Sequence, residues 1–318
     1  MQKRVLILAG GGGHTGYGYA LAQALQGRAD LSFFVPKGDS LSERRLSKFG
    51  KVTSLIKARG PQTPAHTFLV RLSKAFMSSI EKAVNEFDVV VSTGSNFCIP
   101  SSIMALMWRV PLVNIESSVR FVKPSKTARI LEPISTMTAL QWKEQKRFLK
   151  KGVVVGPLLS KAEVAPWDGG YILVTGGTYG HRTLFNTLAE SNLRNVVLQT
   201  GRIDPTPYLK KHPEWKVVTV TEKFHELLAG ADLVVTHFGE TILEAVVYKK
   251  PILLIPNPEW TRTAGVKDAE YLAKKVNAVL VQEIALQSLL NGIEEARNRK
   301  VPTLPNGAER LANIVIKL

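Results

Sequence analysis

One cysteine, Cys98, stands in a chain of 318 residues. That excludes an internal disulfide framework and any cysteine-rich zinc cluster. Long apolar runs are equally scarce. Val5–Ala9 ends at once in Gly10–Gly13, too short for a secretory h-region or a membrane span. Cys98–Ile115 is broken by Pro100, Arg109 and Pro111, and reads as a helix followed by a strand. Aromatics amount to 8%, and the basic residues are spread throughout rather than interleaved with them, which argues against a nucleic-acid partner. The six histidines include no pair at the i, i+4 spacing of a helical metal site. HExxH is absent, and no glycine loop carries the Gly-Lys-Ser/Thr ending of a P-loop. No metal or other cofactor is expected.

Positive charge is present in excess. Lys and Arg number 42 against 26 acidic residues, a formal charge of +16. Such a field favours anionic partners, leaving phosphorylated small molecules and an anionic membrane surface as candidates. Hydrophobic residues at 45% and charged residues at 21% are ordinary globular values. The length suits about two domains.

Short β-rich runs alternate with amphipathic stretches. Strands are expected at Arg4–Ala9, Leu31–Val35, Val52–Ile56, Asp88–Ser92 and Pro111–Ile115, with helices at His14–Leu25, Leu41–Phe49, His66–Glu86 and Ile99–Trp108. The pattern restarts at Val153–Val155. It continues with strands at Tyr171–Thr175, Val196–Gln199, Lys216–Val220, Leu233–Thr236, Ile252–Ile255 and Ala278–Val281. A helix is expected near Tyr179–Glu190, and a last one over Ala308–Leu318. Near-continuous apolar strands between helices mean parallel sheets covered on both faces. The expectation is an α/β protein of two facing Rossmann-like domains, residues 1–156 and 170–318, joined by a linker at 157–169 and enclosing a cleft at the carboxyl ends of the strands.

Three segments carry chemistry. Gly10-Gly11-Gly12-Gly13-His14-Thr15 follows the first strand, where glycines admit a ligand to the backbone and a helix offers free N–H groups. Its spacing is not that of a dinucleotide fingerprint, and Val35-Pro36-Lys37 ends the second strand without the ribose-binding acid. His14 opens that helix, placed either as a base or as a helix cap. Thr175-Gly176-Gly177-Thr178-Tyr179-Gly180 repeats the arrangement and suits a diphosphate, or serves only as a tight turn. In Thr236-His237-Phe238-Gly239-Glu240-Thr241-Ile242-Leu243-Glu244, Glu240 and Glu244 share one helix face; a carboxylate there can accept from two ribose hydroxyls. The helix from His66 sets Phe68, Leu69, Leu72, Phe76 and Ile80 on one side with Arg71, Lys74 and Lys82 between, so its N-terminal turns are expected to face a membrane.

The residues also carry a resemblance. Gly11–Thr15, Ser92–Pro100, Asn114–Arg120 and Leu140-Gln141-Trp142 resemble the membrane-anchored subunit of the eukaryotic dolichyl-diphosphate N-acetylglucosamine transferase. Gly176-Gly177-Thr178, Gln199-Thr200-Gly201, Ala231–His237, Leu243-Glu244-Ala245 and Lys250-Pro251-Ile252 resemble its catalytic partner and the donor domain of bacterial MurG. A fused chain of this kind is similar to archaeal enzymes of N-glycan lipid assembly. The resemblance implies a GT-B fold and an inverting, metal-independent transfer of GlcNAc from UDP-GlcNAc to a polyprenyl- or dolichyl-diphosphate-linked GlcNAc at the cytoplasmic membrane face, giving lipid-linked chitobiose. The alternatives are another UDP-sugar or acceptor, or a UDP-GlcNAc 2-epimerase.

Site residues carry over by motif. His14 takes the place of the catalytic base, with Glu116 its rival. Gly12, Gly13, Thr15, Gly94, Ser95, Asn96 and Ser117 would hold the acceptor. Gly176, Gly177, Thr178, Gly201, Phe224, His237, Gly239, Glu240, Thr241 and Glu244 would hold the donor. Helix N-termini at Gly177–Thr178 and Gly239–Thr241 would steady the leaving diphosphate. The chain departs from the family's donor motifs in three ways: Gly239 to Glu244 is one residue shorter, Glu240 stands where a small residue is usual, and Ala264-Gly265 replaces a polar pair.

Overall fold

The computed structural model describes residues 2–58, 68–80, 84–259 and 264–318. They form two compact units, residues 1–160 with 305–318, and residues 161–304. The first unit runs β1 (Lys3–Leu8), α1 (Gly13–Leu25), β2 (Ala29–Pro36), α2 (Ser40–Ser47), β3 (Lys51–Leu55), α3 (Phe68–Ile80), β4 (Val89–Ser92), α4 (Ile99–Met107), β5 (Leu112–Ile115), α5 (Lys126–Leu131), β6 (Met137–Leu140) and β7 (Gly152–Val154). The second runs β8 (Tyr171–Thr175), α6 (Arg182–Leu188), β9 (Val196–Gln199), α7 (Thr206–Lys211), β10 (Lys216–Val218), α8 (Phe224–Gly230), β11 (Ala231–Thr236), α9 (Thr241–Val247), β12 (Ile252–Leu254), α10 (Val266–Val276), β13 (Val279–Leu280) and α11 (Leu286–Arg297). A further helix, α12 (Gly307–Lys317), follows α11.

Each unit holds one sheet, ordered β3-β2-β1-β4-β5-β6-β7 in the first and β10-β9-β8-β11-β12-β13 in the second. Every pair is parallel. The alternation of strand side chains explains the unbroken apolar runs. Val5 and Ile7 of β1, with Val89 and Val91 of β4, enter the core beneath α1. Leu6 and Leu8, with Val90, enter the core on the opposite face beside Phe97 and Met104. Strand order reverses between β1 and β4 and again between β8 and β11, the switch points where doubly wound sheets bind ligands beyond their strand ends.

The C-terminal residues depart from expectation. Residues 305–318 belong to the first unit, not the second. Leu311, Ala312 and Val315 of α12 share the core of Leu21 and Leu25 of α1, and the Gly307 N–H donates to the Pro157 carbonyl at 2.8 Å. The apolar stripe of α12 fits α1, and burying a side chain such as Leu311 or Val315 is worth about 1.5–3 kcal/mol. The helix expected at Tyr179–Glu190 is also broken. A 3₁₀ turn covers Gly177–Tyr179, and α6 starts only at Arg182, where the His181 ring accepts the Leu184 N–H at 3.3 Å. Thr178 therefore does not open an α-helix. His66 lies outside the described residues. On α3, Val70, Met77 and Ile80 are exposed, so the apolar exposure runs along the helix to its C-terminal end.

Candidate functional site

The glycine loop of the first unit lies where β1 and β4 part. A Cβ on Gly10 would collide with Ser95 Cβ, so only glycine lets the two strand ends approach. The loop is pinned from three sides: the Gly10 N–H donates to Thr93 Oγ1 at 3.2 Å, and Lys57 Nζ at 2.9 Å and Ser95 Oγ at 3.4 Å both donate to the Gly10 carbonyl. Gly12, at φ 59°, is the residue before α1 and makes no side-chain cap, which leaves first-turn amides for a ligand. A Cβ there would meet nothing within 4 Å.

His14 stands in the first turn of α1. Its Nδ1 lies 2.6 Å from the Thr93 carbonyl. A carbonyl only accepts, so Nδ1 carries the proton and Nε2 keeps its lone pair. Burial, opposed by that hydrogen bond and reinforced by Lys57 and Arg120, lowers its pKa to about 4. The imidazole is neutral at pH 7 and oriented as a base. Its ring meets Tyr17 edge-on, with centroids 5.9 Å apart, and the Tyr17 hydroxyl reaches Ser117 Oγ at 3.3 Å and Ser118 Oγ at 2.9 Å. A Cβ on Gly94 would lie 3.9 Å from His14 Cε1. The structure thus gathers His14, Gly12, Gly13, Gly94 and Ser95, with Ser117 joined through Tyr17. Asn96 sits beside them, partly exposed, in the 3₁₀ turn capped by Ser95.

Two expected members face elsewhere. Thr15 is buried, its hydroxyl 2.6 Å from Ser42 Oγ, which donates to Asp39 at 2.7 Å. It ties α1 to α2. Glu116 is 0% exposed, and its carboxylate accepts the N–H groups of Ser117 at 2.6 Å and Ser125 at 2.9 Å. Burial pushes its pKa up against those amides. Its geometry is that of a loop anchor.

That loop has further ties. Gln145 Oε1 accepts from the N–H groups of Gln141 and Trp142, and its Nε2 donates to the carbonyls of Ser117 at 2.8 Å and Arg120 at 2.9 Å. Trp142 Nε1 donates to the Ser118 carbonyl at 2.6 Å, and Gln141 Nε2 to the Glu116 carbonyl at 2.9 Å. The Gln141-Trp142 motif therefore works by holding backbone, and Gln145 was missed because nothing in the sequence marks its distant partners.

In the second unit the glycine loops converge on His237. A Cβ on Gly177 would stand 3.0 Å from its Cε1, and one on Gly239 3.0 Å from its Nε2. Gly177 and Gly201 have φ 65° and 64°, and a Cβ on Gly201 would crowd the carbonyls of Gly177 and Thr178. The Gly176 amide region is fixed by Thr175, whose hydroxyl accepts the Gly177 N–H at 3.0 Å. His237 is buried, and burial with the neighbouring His181 lowers its pKa to about 3; burial lowers that of His181 to about 4. Both rings are neutral, so they do not add charge near a bound anion. Glu240 precedes α9, while Thr241 and Glu244 lie in its first turn with Glu244 partly exposed. Phe224 opens α8 and is linked to α9 through His225, whose Nδ1 is 3.3 Å from the Tyr248 hydroxyl. His181 was not anticipated; its place after Gly180 is the only hint in the sequence.

Doubly wound parallel sheets with glycine loops at their switch points, and a neutral histidine oriented beside the first loop, suit an anionic ligand. The comparisons agree. Residues 171–313 match the glycosyltransferase family 28 C-terminal domain, and residues 5–158 match the family described as oligosaccharide biosynthesis protein Alg14 like. A UDP-N-acetylglucosamine–N-acetylmuramyl-(pentapeptide) pyrophosphoryl-undecaprenol N-acetylglucosamine transferase of Salinibacter ruber is 29% identical, over 99% of this chain and 96% of that one. The MurG crystal structure from Acinetobacter baumannii covers all of both chains at TM-score 0.64 and 16% identity. A putative UDP-N-acetylglucosamine 2-epimerase from Listeria monocytogenes reaches TM-score 0.71 at 13% identity, over 100% of this chain and 96% of that one. At such identities the structural likeness speaks for the fold alone. The chain is a glycosyltransferase of the GT-B fold, its first unit Alg14-like and its second of the family 28 type.

Proposed function

We propose that the protein transfers GlcNAc from UDP-GlcNAc, with inversion and without a metal, to a polyprenyl- or dolichyl-diphosphate-linked GlcNAc, forming lipid-linked chitobiose for N-glycan assembly. The observation that carries this reading is His14, with Nδ1–H committed to the Thr93 carbonyl and Nε2 left as a base beside an uncapped helix N-terminus. The acceptor diphosphate lies on the Gly12–Gly13 amides. Nε2 takes the proton of the acceptor hydroxyl as its oxygen attacks the anomeric carbon, and UDP departs from the opposite face. The second unit holds UDP, with Gly176, Gly177, Thr178 and Gly201 at the diphosphate and Glu244 on the ribose. The Alg14-like first unit favours a chitobiose product. The full-length likeness to the Salinibacter enzyme supports a second reading, a muramyl-type acceptor.

The protein acts peripherally at the cytoplasmic membrane face. No helix among the described residues is long and apolar enough to span a membrane. The exposed Val70, Met77 and Ile80 of α3, with Leu106, Met107 and Trp108 at the end of the adjoining α4, meet the bilayer, and Arg71, Lys74 and Arg109 meet its anionic headgroups. The test supplies UDP-GlcNAc with either synthetic isoprenoid-diphosphate-GlcNAc or the muramyl counterpart, in EDTA. A lipid-linked disaccharide from the first acceptor supports the proposal. Transfer only to the second moves the enzyme to wall synthesis, and 2-epimerised sugar without any acceptor would overturn it.

A further inference from the structure

Beyond the ends of β11, β12 and β13, the second unit encloses a cavity of about 450 Å³. Phe238, Pro256, Val266 and Ile284 give it apolar walls, and Asn257 and Gln282 stand among them. Asn257 has a fixed orientation. Its Oδ1 accepts the Glu259 N–H at 2.9 Å, a contact an amide NH₂ cannot make, so Nδ2 is turned the other way. Nδ2 is buried and has no hydrogen-bond partner among the described residues. A buried donor left unpaired is costly, and a site that keeps one rewards the ligand that supplies an acceptor. Ala264 and Gly265, which also line this cavity, offer no polar side chain.

We propose that Asn257 selects the donor sugar: Nδ2 donates to the acetamido carbonyl of an N-acetylhexosamine seated in this cavity, and the acetamido methyl lies on the apolar wall. The inference rests on the UDP-sugar reading and adds to it the residue that tells an N-acetylhexosamine from a plain hexose. A hexose presents neither the carbonyl nor the methyl, and leaves the donor orphaned.

The test compares UDP-GlcNAc, UDP-glucose and UDP on the full chain, by calorimetry and by transfer. Asn257→Asp is the informative variant, because it keeps the oxygen that accepts from Glu259 and removes both donors at nearly constant volume. Asn257→Ala is its companion. Affinity for UDP-GlcNAc should fall about tenfold in the Asp variant, UDP affinity should hold within twofold, and the preference for UDP-GlcNAc over UDP-glucose should shrink by the same factor. An unchanged preference in both variants overturns the inference, as does equal loss of UDP affinity, which would make Asn257 a residue of the fold. Wild-type protein that distinguishes the two sugar nucleotides in calorimetry, loses that preference in the Asp variant, yet transfers neither sugar would sink the proposed reaction while upholding the role of Asn257.

Discussion

Gln145 offers the sharpest quantitative test of how the acceptor-side loop is held. Its side chain is 0% exposed and makes four hydrogen bonds, all to backbone. Gln145→Met keeps the volume and removes every one. The amides of Gln141 and Trp142 are buried and become orphans, at about 1–3 kcal/mol each. The carbonyls of Ser117 and Arg120 are partly buried and recover some hydration, at roughly 0.5–1 kcal/mol each. Apolar burial of the methionine offsets about 1 kcal/mol, leaving a loss of about 2–7 kcal/mol. That is a large share of the ~5–15 kcal/mol that holds a typical native state. Gln145→Glu separates the two halves of the contact, since an oxygen still accepts from the amides but no N–H reaches the carbonyls. The carboxylate then faces two carbonyl oxygens, so its folded pKa rises above the unfolded value of about 4.3. A raised pKa contributes stability below the unfolded value that is lost as pH climbs through the folded one. The urea midpoint of the Glu variant should therefore fall further behind wild type at pH 8 than at pH 5. A Met variant within about 1 kcal/mol of wild type would refute the reasoning, because four hydrogen bonds would then be worth no more than one.

His14→Ala should lower kcat by about 10²–10⁴-fold with UDP affinity intact, and near-normal turnover would remove His14 as the base. In wild type the acid limb of kcat/KM, which reports free enzyme, should lie near the about 4 set by burial, and the limb of kcat should lie higher because a bound diphosphate favours imidazolium; coincident limbs would count against a diphosphate beside the ring. Glu244→Ala should raise the donor KM with little change in kcat, and an unchanged KM would mean that the ribose lies elsewhere. His181 is 0% exposed, with a folded pKa of about 4 against about 6.5 unfolded. The unfolded chain binds the extra proton between those values, so stability should drop by about 2 kcal/mol from pH 7 to pH 5, and His181→Gln should flatten that slope in urea titrations.

Where a residue acts through its own backbone or neighbours, the sequence was readable. The switch-point glycines followed apolar strands, and Gly12, Gly94, Gly177 and Gly201 all take positive φ. His14 was legible only as a cap or a base, because the contact that orients its ring, Nδ1 to the Thr93 carbonyl, is made 79 residues away. Glu116 and Thr15 were read by type, and the fold spends both on internal bonds. Between Ile115 and Val153 the sequence predicts no element, yet α5 and β6 lie there. Both are short, and their order depends on Glu116 and Gln145 tying the loop down from outside. The start of α6 moved because the His181 side chain caps Arg182 onward, a tertiary choice that glycine spacing does not reveal.

The return of α12 to the first unit has a consequence for biosynthesis. A ribosome emits β1 through β7 well before α12, the helix that covers Leu21 and Leu25. The second unit, residues 161–304, is complete in sequence before the first one is. During translation the exposed flank of α1 waits, greasy and uncovered, for α12 to emerge. Stop codons just upstream of Gly307 should thus produce a chain whose damage appears at the far N-terminal end.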